Sequence, residues 1–384
     1  QRKQEEQRRQ EQRERAQSEL SQIENVGMID FACFTGMEQK GSGSFKLVYK
    51  ATYNHPQAGA TVVAILRVRG SGSHGTREEV LQEIRFFKEL GRHDNLLDLR
   101  GITVEPASGD YCLVTEYAPQ GSLDQVLNRT YEEDSTCSPL VLLEAAMQIC
   151  SGMVHLGLHQ VVHRDLASRN VLVFRWNPDD HQTGVHVKIA DYGLAVMASR
   201  GYGGVQGATV STAGSTARPI RWMAPESIAR RQYTDKSDVW AFGVTMWEMW
   251  TYGQVPYGAI TDDEMVGQRV GEGLRLPCPS VCPPGVYDVM QACWRERKIE
   301  RPTFSELKGM LRQQYDQALL ELHSGGREAA QVDQQLCVIC MEGEAQWALV
   351  PCGHKCLCVA CKERAASNRC PMCRVSPTGV VRIF

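Results

Sequence analysis

The chain has 384 residues, 42% hydrophobic and 23% charged, with a formal net charge of −3. This is the balance of a globular protein with room for one large domain and smaller pieces, and it excludes a disordered polyelectrolyte. No global basic field points to a nucleic-acid partner, and no run of about 18 apolar residues points to a membrane span.

The sequence starts at Gln1 without Met or an apolar targeting segment, so it is expected to be part of a longer protein. Fifteen cysteines are present, and eight of them fall between Cys337 and Cys373. With no secretory signal in view, metal ligation in a reducing cytoplasm is the better reading than a disulfide framework. The other seven, Cys33, Cys112, Cys137, Cys150, Cys278, Cys282 and Cys293, are expected to be small buried hydrophobes.

Residues 1–24 are Gln, Arg and Glu with almost no apolar face, so they read as a solvated helix or tail. Strand signals then dominate to about residue 123, with β-branched and aromatic runs at 46–52, 61–68 and 111–115. One amphipathic helix interrupts them at 76–90, where Val80, Leu81, Ile84, Phe87 and Leu90 recur at helical spacing. From 138 to about 323 the pattern is helical. Its middle, 198–215, is rich in Gly, Ser and Thr and reads as a surface loop. Residues 324–335, with Gly325 and Gly326, read as a linker, and a Cys-rich module fills 336–384.

Five motifs stand in order. Gly41-Ser42-Gly43-Ser44-Phe45-Lys46-Leu47-Val48 is a glycine-rich strand turn that lets backbone approach phosphates. His163-Arg164-Asp165-Leu166-Ala167-Ser168-Arg169-Asn170 resembles the protein-kinase catalytic loop, and Asp191-Tyr192-Gly193 resembles its DFG motif with Tyr for Phe. Ala224-Pro225-Glu226 and Glu300-Arg301-Pro302 match later landmarks.

The resemblance to protein kinases covers about Ile29 to Leu320, within an expected domain at 25–323, and implies a two-lobed α+β fold. It also implies ATP and Mg²⁺ as cofactors, with protein substrates. By that resemblance Asp165 accepts the substrate proton, and Asn170 and Asp191 hold Mg²⁺. Arg164 docks a phosphorylated loop, and Glu226 pairs with Arg301. The nucleotide site takes Gly41, Gly43, Val48, Ala64, the gatekeeper Thr115, and the hinge from Glu116 to Ala118.

One position departs. Protein kinases carry Lys in a Val-Ala-Ile-Lys strand; here the run is Val63-Ala64-Ile65-Leu66. Arg67 lies next door, but alternation turns it off the cleft face, and solvent is its expected surrounding. Lys46, two residues before Val48, shares the cleft face. This arrangement resembles the with-no-lysine kinases, and Glu83 on the helix matches the glutamate that pairs with the lysine. Three readings stay open: Lys46 restores phosphate binding, the domain is a pseudokinase that serves as a scaffold, or Lys46 is a plain surface lysine.

Ala167 and Arg169 after the catalytic Asp resemble the tyrosine-kinase loop, as does Pro219-Ile220-Arg221-Trp222-Met223; with-no-lysine kinases act on Ser and Thr. Residues 41–127 look most like Janus kinase domains. Tyr202, Ser211, Thr212, Ser215 and Thr216 are candidate loop phosphosites.

The C-terminal spacing is Cys337-x2-Cys340-x11-Cys352-x-His354-x3-Cys358-x2-Cys361-x8-Cys370-x2-Cys373. Seven thiols and one imidazole suit two tetrahedral Zn²⁺ ions. The module resembles the RING fingers of inhibitor-of-apoptosis proteins. That resemblance implies cross-bracing: Cys337, Cys340, Cys358 and Cys361 on one ion, Cys352, His354, Cys370 and Cys373 on the other. It also implies a ubiquitin-conjugating enzyme as partner, met through Ile339, Pro371 and Arg374, and a RING dimer through the apolar C-terminus. Cys356 is surplus. So small a module gains its folding energy from the metal.

Overall fold

Lys46 and Leu66 acquire their surroundings from the way the β-branched runs pair. In this computed structural model the described residues are 27–42, 46–70, 74–133, 135–192, 195–197, 218–331, 347–350, 355–358, 360–362 and 379–382. The chain divides into two compact units, Gln1–Tyr315 and Asp316–Phe384.

In the first unit β1 (Phe34–Ser42), β2 (Lys46–His55), β3 (Gly59–Val68), β4 (Leu99–Val104) and β5 (Tyr111–Glu116) form one antiparallel sheet, ordered β1-β2-β3-β5-β4. Residues opposite one another share a face. Val48 stands opposite Leu66, Lys46 opposite Val68, and Ala64 opposite Thr115, so these six side chains share one face. The other face buries Ala51, Val63, Ile65, Cys112 and Val114 in a cluster closed by Ile29 and Phe34. Each such large apolar side chain contributes on the order of 1.5–3 kcal/mol when fully buried.

Arg67 lies on that second face, as alternation predicts, but it is only partly exposed. Its Nε donates to Asp110 at 2.9 Å and a terminal nitrogen lies 3.8 Å from Glu105. The expectation of a solvent-exposed Arg67 is therefore corrected: two neighbouring carboxylates capture it.

The amphipathic helix, α1 (His74–Leu90), starts two residues before the expected 76. It buries Val80, Ile84, Phe87 and Leu90 together with Glu83.

A helical lobe follows: α2 (Leu123–Glu132), α3 (Pro139–Leu158), α4 (Pro225–Arg230), α5 (Asp235–Trp250), α6 (Asp263–Gly271), α7 (Pro284–Cys293) and α8 (Phe304–Gln331). Helix α3 is long and apolar enough to cross a membrane by length and composition, but most of it is buried inside the protein. Ser138 caps its first turn by accepting from Leu140 N–H at 3.3 Å. Between α3 and α4 lie β6 (Val161–Val162), β7 (Val171–Arg175), β8 (His186–Ile189) and β9 (Val196–Met197), paired β6 with β9 and β7 with β8. They present the loops that carry Asp165 and Asp191.

Two sequence expectations shift. The linker expected at 324–335 is helical through Gln331, because α8 runs on across Gly325 and Gly326. Two glycines cost a helix about 1 kcal/mol each, and the good helix formers Arg327, Glu328, Ala329, Ala330 and Gln331 that follow offset part of it. Cys278 is exposed and Cys33 half-buried, so not all seven scattered cysteines are core residues. The 198–215 segment lies outside the described residues.

In the second unit, β10 (Trp347–Val350) is the centre of a three-stranded sheet, flanked by β11 (Lys355–Leu357) and β12 (Gly379–Arg382). Ala348 of β10 and Leu357 of β11 are buried.

Candidate active site and zinc module

Lys46 is the first residue of β2, and the pairing of Lys46 with Val68 turns its side chain toward α1. Its Nζ donates to Glu83 Oε1 at 2.8 Å and to Asp191 Oδ1 at 3.0 Å. Burial works against the ammonium charge, but Glu83 and Asp191 outweigh it and hold the pKa of Lys46 above its ordinary value. Burial raises the pKa of Glu83, with the charge of Lys46 pulling the other way. Leu66 carries no charge to this cluster. The amine that joins the helix, the sheet and the Asp191 loop therefore comes from β2.

The loop after β6 is bound from below. Asp238, 2% exposed on α5, accepts the backbone N–H of His163 at 2.8 Å and of Arg164 at 2.9 Å. Burial raises the Asp238 carboxyl to about 6, against the pull of His163 and the two N–H groups. Glu248, also on α5, accepts from the Ser168 hydroxyl at 2.7 Å and from Trp222 Nε1 at 2.9 Å. One buried carboxylate thus links the catalytic loop to the 219–223 segment.

Above these anchors Asn170 Nδ2 donates to Asp165 Oδ2 at 2.9 Å and to its carbonyl at 2.7 Å. Arg169 pairs with Asp165 Oδ1 and lays its guanidinium 4.3 Å from the centre of the Trp222 ring. Burial raises the pKa of Asp165, and Arg169 is the main opposing charge.

Arg164 and Asp191 both take left-handed backbone, with φ of 72° and 63°. Non-glycine residues pay for this conformation, and such positions cluster at functional sites. Arg164 stacks 4.1 Å from the Tyr233 ring. Tyr192 is 1% exposed, edge-on to Phe87 of α1 at 5.0 Å and to His163 at 5.9 Å. Tyr192 is thereby seated against the helix that carries Glu83.

Thr115 is buried, and its hydroxyl donates to the Glu116 carbonyl at 3.2 Å. Glu116, expected to offer its backbone at the hinge, also uses its carboxylate: it accepts Lys188 Nζ at 2.6 Å and Asp98 N–H at 3.0 Å, which fixes the hinge from behind. Glu226 and Arg301 form the expected two-pronged pair, at 2.7 and 2.9 Å.

Asn170 and Asp191 suit Mg²⁺, a hard cation that takes oxygen ligands. Their backbones are tied together, since Ala190 N–H donates to the Asn170 carbonyl at 2.9 Å. Gly41, Val48, Ala64 and Ala118 take their places on the sheet and hinge; Gly43 lies outside the described residues.

In the second unit Cys358 and Cys361 are buried side by side. The Cys361 N–H donates to the Cys358 carbonyl at 3.2 Å, a turn that brings i and i+3 thiols to one side. This fits half of a tetrahedral zinc site. Cys337, Cys340, Cys352, His354, Cys370 and Cys373 lie outside the described residues, as do Ile339, Pro371, Arg374 and the loop phosphosites.

A family model for protein tyrosine and serine/threonine kinases matches residues 34–311, and one for the C3HC4-type RING finger matches residues 333–380. The chain belongs to the protein tyrosine and serine/threonine kinase family and ends in a RING finger. ATP and Mg²⁺ go with the first domain and zinc with the second.

The chain is 34% identical over 278 residues to the tyrosine-protein kinase transmembrane receptor Ror of Drosophila melanogaster, covering 72% of this chain and 38% of that protein. It is 41% identical over 230 residues to human tyrosine-protein kinase ABL2, covering 60% and 18%. It is 34% identical over 273 residues to human ephrin type-A receptor 1, covering 71% and 26%. It thus spans less than two fifths of the length of each of these relatives.

Proposed function

We propose that this chain is an active protein kinase, specific for tyrosine, whose phosphate-binding amine is Lys46, and that its RING recruits a ubiquitin-conjugating enzyme. The observation that carries the kinase reading is Lys46 bridging Glu83 and Asp191. A cation held between a helix carboxylate and the metal-binding aspartate is placed to meet nucleotide phosphates.

Mg²⁺, when bound, neutralises charge on the phosphates. The chain's own residues do the rest. Asp165, held by Arg169 and Asn170, orients the acceptor hydroxyl and takes its proton. Its raised pKa favours that transfer, because a base close to the operating pH is the more effective one. Lys46 steadies the phosphates that stay behind. Asn170 and Asp191 are the residues that would hold the metal.

Tyrosine specificity is supported by Arg169 stacked on Trp222, which ties the catalytic loop to the 219–223 segment that receives the acceptor. The tyrosine-kinase relatives are consistent with it. A RING does no covalent chemistry; it restrains a charged conjugating enzyme by proximity. Ile339, Pro371 and Arg374 are the proposed contacts, the apolar tail the proposed dimer surface, and a reducing cytoplasm the proposed compartment.

The test is phosphate transfer to a mixed Tyr, Ser and Thr peptide library. Phosphotyrosine is the expected product, and it should be lost in Asp165→Asn. Phosphoserine as the main product refutes the specificity. Nucleotide binding with no transfer refutes catalysis and supports a scaffold for the RING, a reading favoured by Leu66 at the usual lysine position. For the RING, ubiquitin chain formation should need zinc and fall in Arg374→Ala.

A further inference from the structure

The family's aromatic residue after the metal-binding aspartate is usually Phe, as the resemblance of Asp191-Tyr192-Gly193 to the DFG motif implies. Here it is Tyr192, and the added oxygen has a specific partner. The Tyr192 hydroxyl donates to the carbonyl of Ile189 at 3.1 Å. The same carbonyl accepts the Leu97 N–H at 2.9 Å. Ile189 in turn donates to the Asn95 carbonyl at 2.9 Å, and Leu96 bridges to Ile189 in parallel fashion. The hydroxyl therefore closes a knot that joins the end of β8 to the segment linking α1 with β4.

Two features make this knot matter to the cleft. Tyr192 directly follows Asp191, whose left-handed backbone needs support from its surroundings. The phenol is also 1% exposed. A buried hydroxyl that loses its partner costs desolvation free energy, whereas Phe in the same place has nothing to lose. An inward-seated Tyr is therefore held more firmly than an inward-seated Phe. That seat is the one in which Asp191 meets Lys46.

We propose that the Tyr192 hydroxyl is a positioning group: its bond to the Ile189 carbonyl holds Asp191 in place and thereby raises the affinity of the cleft for magnesium nucleotide. The inference rests on the proposed nucleotide site but not on phosphate transfer, so it is tested by binding. Loss of one buried hydrogen bond corresponds to roughly a two- to tenfold change in an equilibrium constant.

The experiment measures ADP binding to the full chain, with saturating magnesium and with magnesium omitted, for wild type and Tyr192→Phe. Folding is followed by the melting temperature. The expected result is about fivefold weaker ADP binding by Tyr192→Phe with magnesium, and no weakening without it. A purely structural hydroxyl lowers the melting temperature and leaves both affinities alone, which overturns the proposal. Equal weakening with and without magnesium overturns it too, as does a wild type that binds no ADP.

If Tyr192→Phe fails to fold, p-aminophenylalanine and p-fluorophenylalanine at position 192 replace it. Both fill the para position, and only the first donates. The amino form should bind magnesium ADP more tightly than the fluoro form; equal affinities overturn the proposal. Kinase inactivity with a magnesium-dependent effect intact refutes catalysis alone.

Discussion

Replacing Lys46 by Met removes a cation that answers two carboxylates while keeping the length of the stem. In the wild type the Lys46 side chain is about a fifth exposed and that of Glu83 is 5% exposed. Breaking a buried pair by removing one partner costs about 3–5 kcal/mol, and the residual exposure of Lys46 places this pair near the lower end. In the reaction, losing one donor to the transition-state charge costs about 2.7–4 kcal/mol, roughly a hundred- to a thousandfold in rate.

The cost falls on catalysis more than on folding. Burial already raises the pKa of Glu83, and with Lys46 gone the carboxyl takes up a proton rather than stand as a bare buried anion. We therefore expect Lys46→Met to lose 10²- to 10³-fold in kcat/KM with only a few degrees of change in Tm. The assay is initial-rate transfer of labelled phosphate to a tyrosine peptide.

The companion is Lys46→Met with Leu66→Lys. Leu66 shares the face of Lys46, and it sits two residues along β3 from Val68, the cross-strand partner of Lys46. That is ~6.7 Å along the strand, within the span of a lysine side chain. The double variant should regain part of the lost rate. Undiminished transfer by Lys46→Met refutes the reasoning outright.

Arg301 is fully buried and pairs with Glu226 through two hydrogen bonds. Arg301→Met should cost about 3–5 kcal/mol in urea unfolding, because Glu226 is left without its partner; a loss under 1 kcal/mol counts against a structural role. For Asp238 the folded carboxyl sits near 6 against 3.8 for the free group. The folded state therefore holds this proton more tightly. The group's contribution is complete below about pH 3.8 and is lost as pH rises through about 6, at most ~3 kcal/mol. Unfolding free energies of wild type relative to Asp238→Asn, taken from pH 4 to 7, should show that decline; a flat difference refutes it. Zinc removal should unfold the C-terminal module and leave the kinase transition unchanged by calorimetry; a single shared transition would contradict independent folding.

The parts of the site that sequence disclosed are those set by strand alternation and short spacing. Lys46 and Val48 share a face because side chains repeat every two residues, so the cleft position of Lys46 followed from counting. The helix itself followed from helical period, and Glu83 on it from the resemblance to protein kinases. The linkage made by Glu248 did not, because it depends on α5 lying beneath two separate loops. One signal was present: Glu248 is a lone acid in the apolar run from Val239 to Trp250, where a buried charge needs partners. Arg67 was placed on the correct face but given the wrong surroundings, since Glu105 and Asp110 reach it only through the pairing of β3 with β5. The continuation of α8 through Gly325 and Gly326 also ran against local propensity.

The relocation of the amine is tolerable because the sheet treats β2 and β3 as interchangeable supports for one point in space. On the proposed role of Lys46, the phosphate contact needs an ammonium between Glu83 and Asp191, not a lysine at a particular place in the chain. Adjacent strands lie about 4.8 Å apart, and a lysine stem spans that gap. The exchange still has a consequence. Lys46 heads β2 directly after the glycine-rich turn, whereas Leu66 lies inside β3 between two partner strands. On the proposed role of Lys46, an amine at the head of β2 is coupled to Gly41 and Ser42, which pair with Val48 and Leu47 just beyond it. Substitutions at Gly41 should therefore weaken nucleotide binding together with the Lys46–Glu83 pair. In a kinase whose amine stands on β3, the same change leaves the pair in place.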